Sequence, residues 1–209
     1  MTAIKPTTRQ PRGDATRRQI LDEAERIFAD IGYAAARLDH VADAVGIRRP
    51  SIIYYFPGKL QLYEQVEADI FASMHAFVLN RTEGVGDPMA RLLALLDAWL
   101  DFLVGRPTAA RIIQRLIADS ATHGDNPVRF SETALRDIED VVTAGVASGQ
   151  FGQVSAMVLL NTVAAGALHY VCNGRQLGPG RSYDPANPQQ LAEFRAMMHR
   201  LAKAAVAPE

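Results

Sequence analysis

The sequence predicts an all-α fold, with a small N-terminal unit of three helices that contains a helix-turn-helix, followed by a larger C-terminal helical bundle. Three observations carry this expectation. Apolar residues recur at the spacing of helix faces, as in Ile20, Ala24, Ile27, Phe28 and Ile31. Asp87-Pro88, Asn126-Pro127 and Asn187-Pro188 each precede such a run, and a side-chain acceptor followed by a first-turn proline is a mechanistic helix start. No segment shows the sustained alternation of a half-buried strand.

Taken in order, residues 1–13 are polar, hold Pro6, Pro11 and Gly13, and read as a flexible basic arm. The first helix is expected from about Asp14 to Gly32, where a glycine stop fits. From Leu38 to Phe56 two short segments are broken at Gly46. Leu38, Val41, Ala42 and Val45 line the first. Ile52, Ile53 and Phe56 line the second, with both isoleucines facing inward and Pro50 helping to start it. Gly58-Lys59 opens a long helix to about Asn80. The Asx-Pro pairs then start three helices, Gly105 and Gly149 supply stops, and two more helices are expected at about 108–122 and 153–173. Gly174 to Ala186, with its glycines and prolines, is a loop. The expected domains are the arm at 1–13, the helix-turn-helix unit at 14–60 and the C-terminal domain at 61–209.

Composition narrows the function classes. The 209 residues are 48% hydrophobic and 22% charged, too apolar for disorder and enough for a substantial core. Cys172 is the single cysteine, which excludes an internal disulfide and a cysteine metal cluster and fits a reducing compartment. No apolar run follows the basic N-terminus as a signal peptide requires. Val154 to Val171 is the most apolar stretch, but Ser155, Asn161, Thr162 and His169 interrupt it, so it reads as a buried helix and not a membrane span. A soluble, cytoplasmic chain with no membrane partner is expected. The net charge of −1 hides an asymmetry: residues 1–60 hold 10 Lys/Arg against 7 Asp/Glu, and the remainder hold 12 against 16. A basic head on an acidic body suits an anionic partner at one end.

The segment after Leu38 gives that partner a place. Ala42 and Gly46 stand four apart, with Ile47 and Ile52 beyond, which is the spacing of a helix-turn-helix. A small alanine lets two helices cross closely, and the branched residues fill the angle between them. Arg48, Arg49, Ser51, Tyr54, Tyr55 and Lys59 crowd the second helix and its exit. Cations neutralise phosphates, hydroxyls donate to phosphate oxygens, and recognition helices read bases with their N-terminal residues. Arg48, Arg49, Ser51 and Tyr55 are expected to face the major groove.

The run from Val41-Ala42-Asp43-Ala44-Val45-Gly46 through Tyr54-Tyr55-Phe56-Pro57-Gly58-Lys59-Leu60 resembles the DNA-binding segment of the tetracycline-repressor (TetR) family. Ile27-Phe28-Ala29-Asp30-Ile31-Gly32-Tyr33 is similar to that family's first helix and its Gly-aromatic stop, so the likeness covers about residues 14–65. The resemblance implies about nine helices, a homodimer on palindromic double-stranded operator DNA, and repression relieved by a small-molecule effector whose identity the C-terminal sequence does not disclose. By matching position it implies that Ser51, Tyr54 and Lys59 hold phosphates. Arg48, Arg49 and Tyr55 are candidates for base contacts, the two arginines alternatively for phosphate, and Tyr54 alternatively for packing. One departure stands out. The family opens its second helix with Ser or Thr, whereas this chain has Ala35-Ala36-Arg37. Arg37 either replaces the phosphate contact by charge or is a solvated surface residue.

In the C-terminal domain, pairing is expected through the last two helices. The candidates are Ala164 and Ala167 in a small-residue patch, and Phe194, Met197, Met198 and Leu201 on an apolar stripe. Pockets are mainly apolar with a few orienting polar groups. On that ground the candidates for lining one are Phe71, His75, Trp99, Phe102, Leu103, Arg115, Asp119, His123, Asn161 and His169. Asp119 and His123 at i, i+4, with His169, are also weighed as metal ligands against a simple ion pair, and no metal is assigned. Two rivals are an enzyme using Cys172 with His169 three residues away, and a helical adaptor that binds protein only. The preferred expectation is no enzyme and no cofactor.

Overall fold

The computed structural model describes residues 10–119, 129–174, 180 and 182–208. Their regular structure is helical, with no strand among the described residues. They divide into two compact units, Met1–Asp69 and Ile70–Glu209, a division that falls inside one long helix.

In the first unit, α1 (Gln10–Ala35) begins four residues before the expected Asp14, so part of the expected arm is helical. Residues 1–9 of that arm lie outside the described residues. Helical geometry in α1 breaks at Gly32, whose φ of 79° is left-handed. Then come α2 (Leu38–Val45), α3 (Arg49–Tyr55) and the start of α4 (Lys59–Thr82). Gly46 closes α2 with φ 74°. Its N–H donates to the Asp43 carbonyl at 3.2 Å, and the Ile47 N–H donates to Ala42 at 3.0 Å. This pair of bonds is a Schellman closure, and it makes the chain reverse between the two short helices. Ile20, Ala24, Phe28, Val41, Ala42, Ile52, Phe56, Leu62 and Val66 form the core, none more than 3% exposed. α2 has no such help at its start. Arg37 occupies the N-cap position without a side-chain bond to the helix, as the missing Ser or Thr predicts.

The second unit is organised around α5 (Pro88–Gly105), which packs against α6 (Pro107–Asp119), α7 (Arg129–Ala147), α9 (Ala165–Asn173) and α10 (Pro188–Val206). A helix surrounded in this way must be apolar on nearly every face. Leu92, Leu95, Leu96, Trp99, Leu100, Phe102 and Leu103 are all buried. Two of the three Asx-Pro starts are borne out: Asp87 accepts from the Ala90 N–H at 2.8 Å, and Asn187 accepts from Gln189 and Gln190 at 3.1 Å each. Asn126-Pro127 lies outside the described residues.

The apolar stretch at Ala156–Asn173 is long and apolar enough, by length and composition, to cross a membrane, yet only 33% of it is buried. It is therefore less buried than the sequence suggests. It comprises α8 (Ala156–Leu159), a π-helical turn (Leu160–Ala164) and α9. The π-turn is unexpected from the sequence, and its local correlate is clear. Asn161 Nδ2 and Thr162 Oγ1 donate back to the Met157 and Val158 carbonyls at 2.8 and 2.7 Å. Side chains that bond to the i−4 carbonyl bend a helix.

α10 is tied to α5 by charge. Arg195 reaches Asp97 at 2.8 Å and Asp101 at 2.5 Å, and His199 Nε2 lies 2.8 Å from Asp97. These groups are only about a quarter exposed, so the pairing is less screened than on an open surface.

Two stability effects follow. Gly46→Ala forces a Cβ into left-handed backbone and is expected to lower unfolding free energy by about 1–2 kcal/mol in urea titration. Arg37→Ser supplies the absent cap and is expected to raise it by about 1 kcal/mol in the same assay.

Candidate nucleic-acid interface

The helix-turn-helix is held by few contacts, and they decide which side chains stay outside. α3 is seven residues long and anchors through Ile52 and Phe56, which are 0% and 3% exposed and lie on one line at i, i+4. Ile53, expected to face inward, is 44% exposed. Adjacent helix positions sit about 100° apart, so one inward line cannot hold both isoleucines.

Arg37, Arg48, Arg49 and Ser51 are exposed. Arg48 sits at the N-cap of α3, and neither its side chain nor that of Arg37 makes a capping hydrogen bond. Arg49 lies 3.6 Å from Asp39 of α2, an open surface pair of little net strength. Tyr54 is 83% exposed, more than the packing alternative expects. Its ring meets that of Tyr55 edge-on at 5.1 Å.

Two residues depart from expectation. Tyr55 is half-buried, and a Cβ at Gly13 of α1 would lie 3.9 Å from its hydroxyl. The ring leans on the start of α1 instead of standing clear for a groove. Lys59 is the second, with bonds inside the protein that the sequence did not suggest. Its ammonium donates to the carbonyls of Tyr33 at 2.8 Å, Ala36 at 3.1 Å and Ala34 at 3.4 Å, and lies 4.3 Å from the Tyr33 ring centre. An ammonium has three donors, and here all three are spent on the turn between α1 and α2. In this arrangement the side chain ties the start of α4 to the end of α1 and the approach to α2. Phe28, Tyr33 and Tyr63 complete the cluster, with Phe28–Tyr63 and Tyr33–Tyr63 ring centres both 4.9 Å apart. Arg17 lies over Phe56 at 5.1 Å, and Arg18 bonds Asp69 at 2.6 Å, so these α1 cations are also engaged.

In the second unit, the pocket candidates separate into two groups. Phe71, His75 and Trp99 line a small cavity of about 30 Å³, and Trp99, Leu103 and Asn161 line a more apolar one of about 90 Å³. Phe102 lines neither; it is buried, with its ring 5.9 Å from that of Phe77. Arg115 and His169 are exposed and line neither. The Asp119 side chain and all of His123 lie outside the described residues. Met74, Ile113, Ile117, Leu160 and Asp137 also line the cavities and went unnoticed in sequence, where they look like ordinary helix residues.

The pairing candidates divide similarly. Met197 and Leu201 are about half exposed, and Met157 and Val158 of α8 join them as exposed apolar residues. Ala167 and Met198 are 1% and 3% exposed and pack inside their own subunit. Phe194 stacks on Tyr170 at 4.1 Å, and Ala164 faces the apolar cavity, so both are also used internally. The nucleophile–base pair is not assembled. His169 Nδ1 lies 2.8 Å from Asn173 Nδ2, and burial pushes the Cys172 thiol up, only partly opposed by Arg111.

Comparison with known proteins agrees with this architecture. Residues 20–66 match the bacterial regulatory proteins of the tetR family, and residues 88–201 match the tetracyclin repressor-like C-terminal domain. The HTH-type transcriptional activator FasR of Mycolicibacterium smegmatis is 33% identical over 105 residues, a match spanning 50% of this chain and 48% of that one. The HTH-type transcriptional repressor NicS of Pseudomonas putida is 24% identical over 206 residues, 97% of each chain. Among solved structures, a TetR family transcription regulator from Marinobacter aquaeolei superposes with a TM-score of 0.75 at 19% identity, covering 95% of this chain and 98% of that one. The helix-turn-helix, the helical C-terminal unit and the two family matches together place this chain in the TetR family of bacterial transcriptional regulators.

Proposed function

We propose that the protein is a cytoplasmic, ligand-released repressor that binds a palindromic operator as a homodimer. The observation that carries this reading is the set of exposed cations and hydroxyls on the helix-turn-helix, Arg37, Arg48, Arg49, Ser51 and Tyr54, set against an Arg17, Arg18 and Lys59 that are already engaged. The exposed group is available for phosphates and base edges, and the engaged group holds the frame behind it. The full-length likeness to a named repressor favours repression over activation.

A single recognition helix reads only a half-site, so a two-fold dimer matches a palindrome. The uncovered apolar residues Met157, Val158, Met197 and Leu201 are the proposed pairing face. Effector in the C-terminal unit would shift α4, which contributes to both units, and so change the separation of the recognition helices in the dimer. Such coupling is typically about 1–3 kcal/mol, a 5–150-fold loss of operator affinity, and operator weakens effector binding by the same factor.

Fluorescence anisotropy on labelled upstream duplex across a salt series tests the reading. Tight binding that weakens steeply with salt is expected, and a folded protein that binds no duplex at low salt overturns it. Arg48→Ala should flatten the salt slope by about one unit if it holds a phosphate, with no change in thermal stability. Lys59→Met should instead lower stability by about 1–3 kcal/mol while leaving the salt slope of the remaining folded protein intact. Leu201→Glu should produce a folded monomer in sedimentation analysis that has lost tight operator binding.

A further inference from the structure

The two cavities of the second unit share a wall. Met74 and Trp99 line both. On one side, the small cavity is bounded by Phe71, Thr133, His75 and Asp137. His75 lines this space, and its Nδ1 is buried with no hydrogen-bond partner among the described residues. Buried polar atoms are almost always matched by protein or by ordered water, so an unmatched one on a cavity-lining residue leaves a position that a water or a ligand group can take. On the other side, Leu103, Ile113, Ile117, Leu160 and Leu168 make an apolar chamber of about 90 Å³. Its one polar side chain, Asn161, already gives its N–H₂ to the Met157 carbonyl at 2.8 Å.

We propose that these cavities are two halves of one effector site. It takes a small apolar molecule, a single ring or short chain, with one hydroxyl or amine head set toward His75 and Asp137, and it rejects a carboxylate head. The inference rests on the regulator reading only in calling this ligand an effector. Size sets the first limit: the two spaces of about 30 and 90 Å³ fall a little short of the roughly 150 Å³ that holds benzene, so a single ring fits only once they join and widen slightly. Methionine is unbranched and adaptable, so Met74, in the shared wall, is the side chain best suited to move aside and join the two spaces. Charge sets the head. A donor satisfies the Asp137 carboxyl and can also match His75, whereas a second carboxylate brings like charges together in a partly desolvated site. Burial alone already disfavours charge at Asp137: it pushes the carboxyl up, opposed by His75 and Arg91 and reinforced by Asp140.

Trp99 is the only tryptophan, so its indole N–H signal in a ¹H–¹⁵N spectrum of the full chain reports the shared wall. Benzyl alcohol, benzylamine and benzoate, titrated without DNA, present one ring with three heads. Saturable shifts are expected for the first two, with benzoate at least about tenfold weaker. Asp137→Asn should close most of the benzoate gap, and His75→Leu should weaken benzyl alcohol. No saturable shift with any probe, or benzoate binding as well as benzyl alcohol, overturns the proposal on the unmodified protein, whether or not the variants fold. Probes that bind in the expected order but leave operator affinity unchanged in anisotropy contradict ligand release and not this site.

Discussion

The Lys59 ammonium is the contact on which the helix-turn-helix frame depends. Where α1 ends, its last carbonyls have no intrahelical partner, and the chain must turn at once into α2. Lys59, arriving from the start of α4, donates to two of these carbonyls, Tyr33 and Ala34, and to that of Ala36 just beyond, and rests against the Tyr33 ring. One side chain thus joins the end of α1, the approach to α2 and the start of α4. The aromatic cluster of Phe28, Tyr33 and Tyr63 keeps this charge partly shielded, which strengthens both the hydrogen bonds and the cation–π contact.

With that corner fixed, the short helices need little else. α2 contributes Val41 and Ala42 to the core, the Gly46 closure reverses the chain, and α3 is anchored by Ile52 and Phe56. A seven-residue helix has marginal stability by itself, so its position comes from these anchors and not from propensity. The economy of the arrangement leaves Arg48, Arg49, Ser51 and Tyr54 exposed, where the proposed DNA contact needs them. The uncapped start of α2 at Arg37 fits the same pattern, in which a position gives up local stability and presents a charge.

The second unit solves a different problem. α5 is covered by four other helices, and Trp99 and Leu103 on it border space that the surrounding side chains do not fill. The π-turn at Leu160–Ala164 lies along the same chamber, with Leu160, Asn161 and Ala164 all in its wall. π-turns often mark functional sites, because the inserted residue changes which side chains face inward. The Arg195–Asp97–Asp101 network holds α10 to α5 beside this region, so α10 keeps Met198 inside while Met197 and Leu201 remain uncovered.

What the sequence determined by itself were the features that close within a few residues. The caps at Asp87 and Asn187, the glycine reversal at Gly46, the stop at Gly32 and the uncapped Arg37 each depend on neighbours no more than about five positions away. Residue types at fixed spacing were likewise enough for the helix-turn-helix and the family. Facing was another matter. Lys59 and Tyr55 look like surface residues in sequence, but Lys59 meets carbonyls 23–26 positions away and Tyr55 lies against α1. Ala167 and Met198 read as an outer stripe, yet both are buried within the subunit, while Met157 and Val158 are exposed. Cavity walls were hidden for the same reason. Met74, Asp137 and Leu160 come from three helices, and only their packing brings them to the space around Trp99. Periodicity states that a helix has an apolar face; which partner covers that face, and what it leaves open, is decided by contacts between residues far apart in the chain.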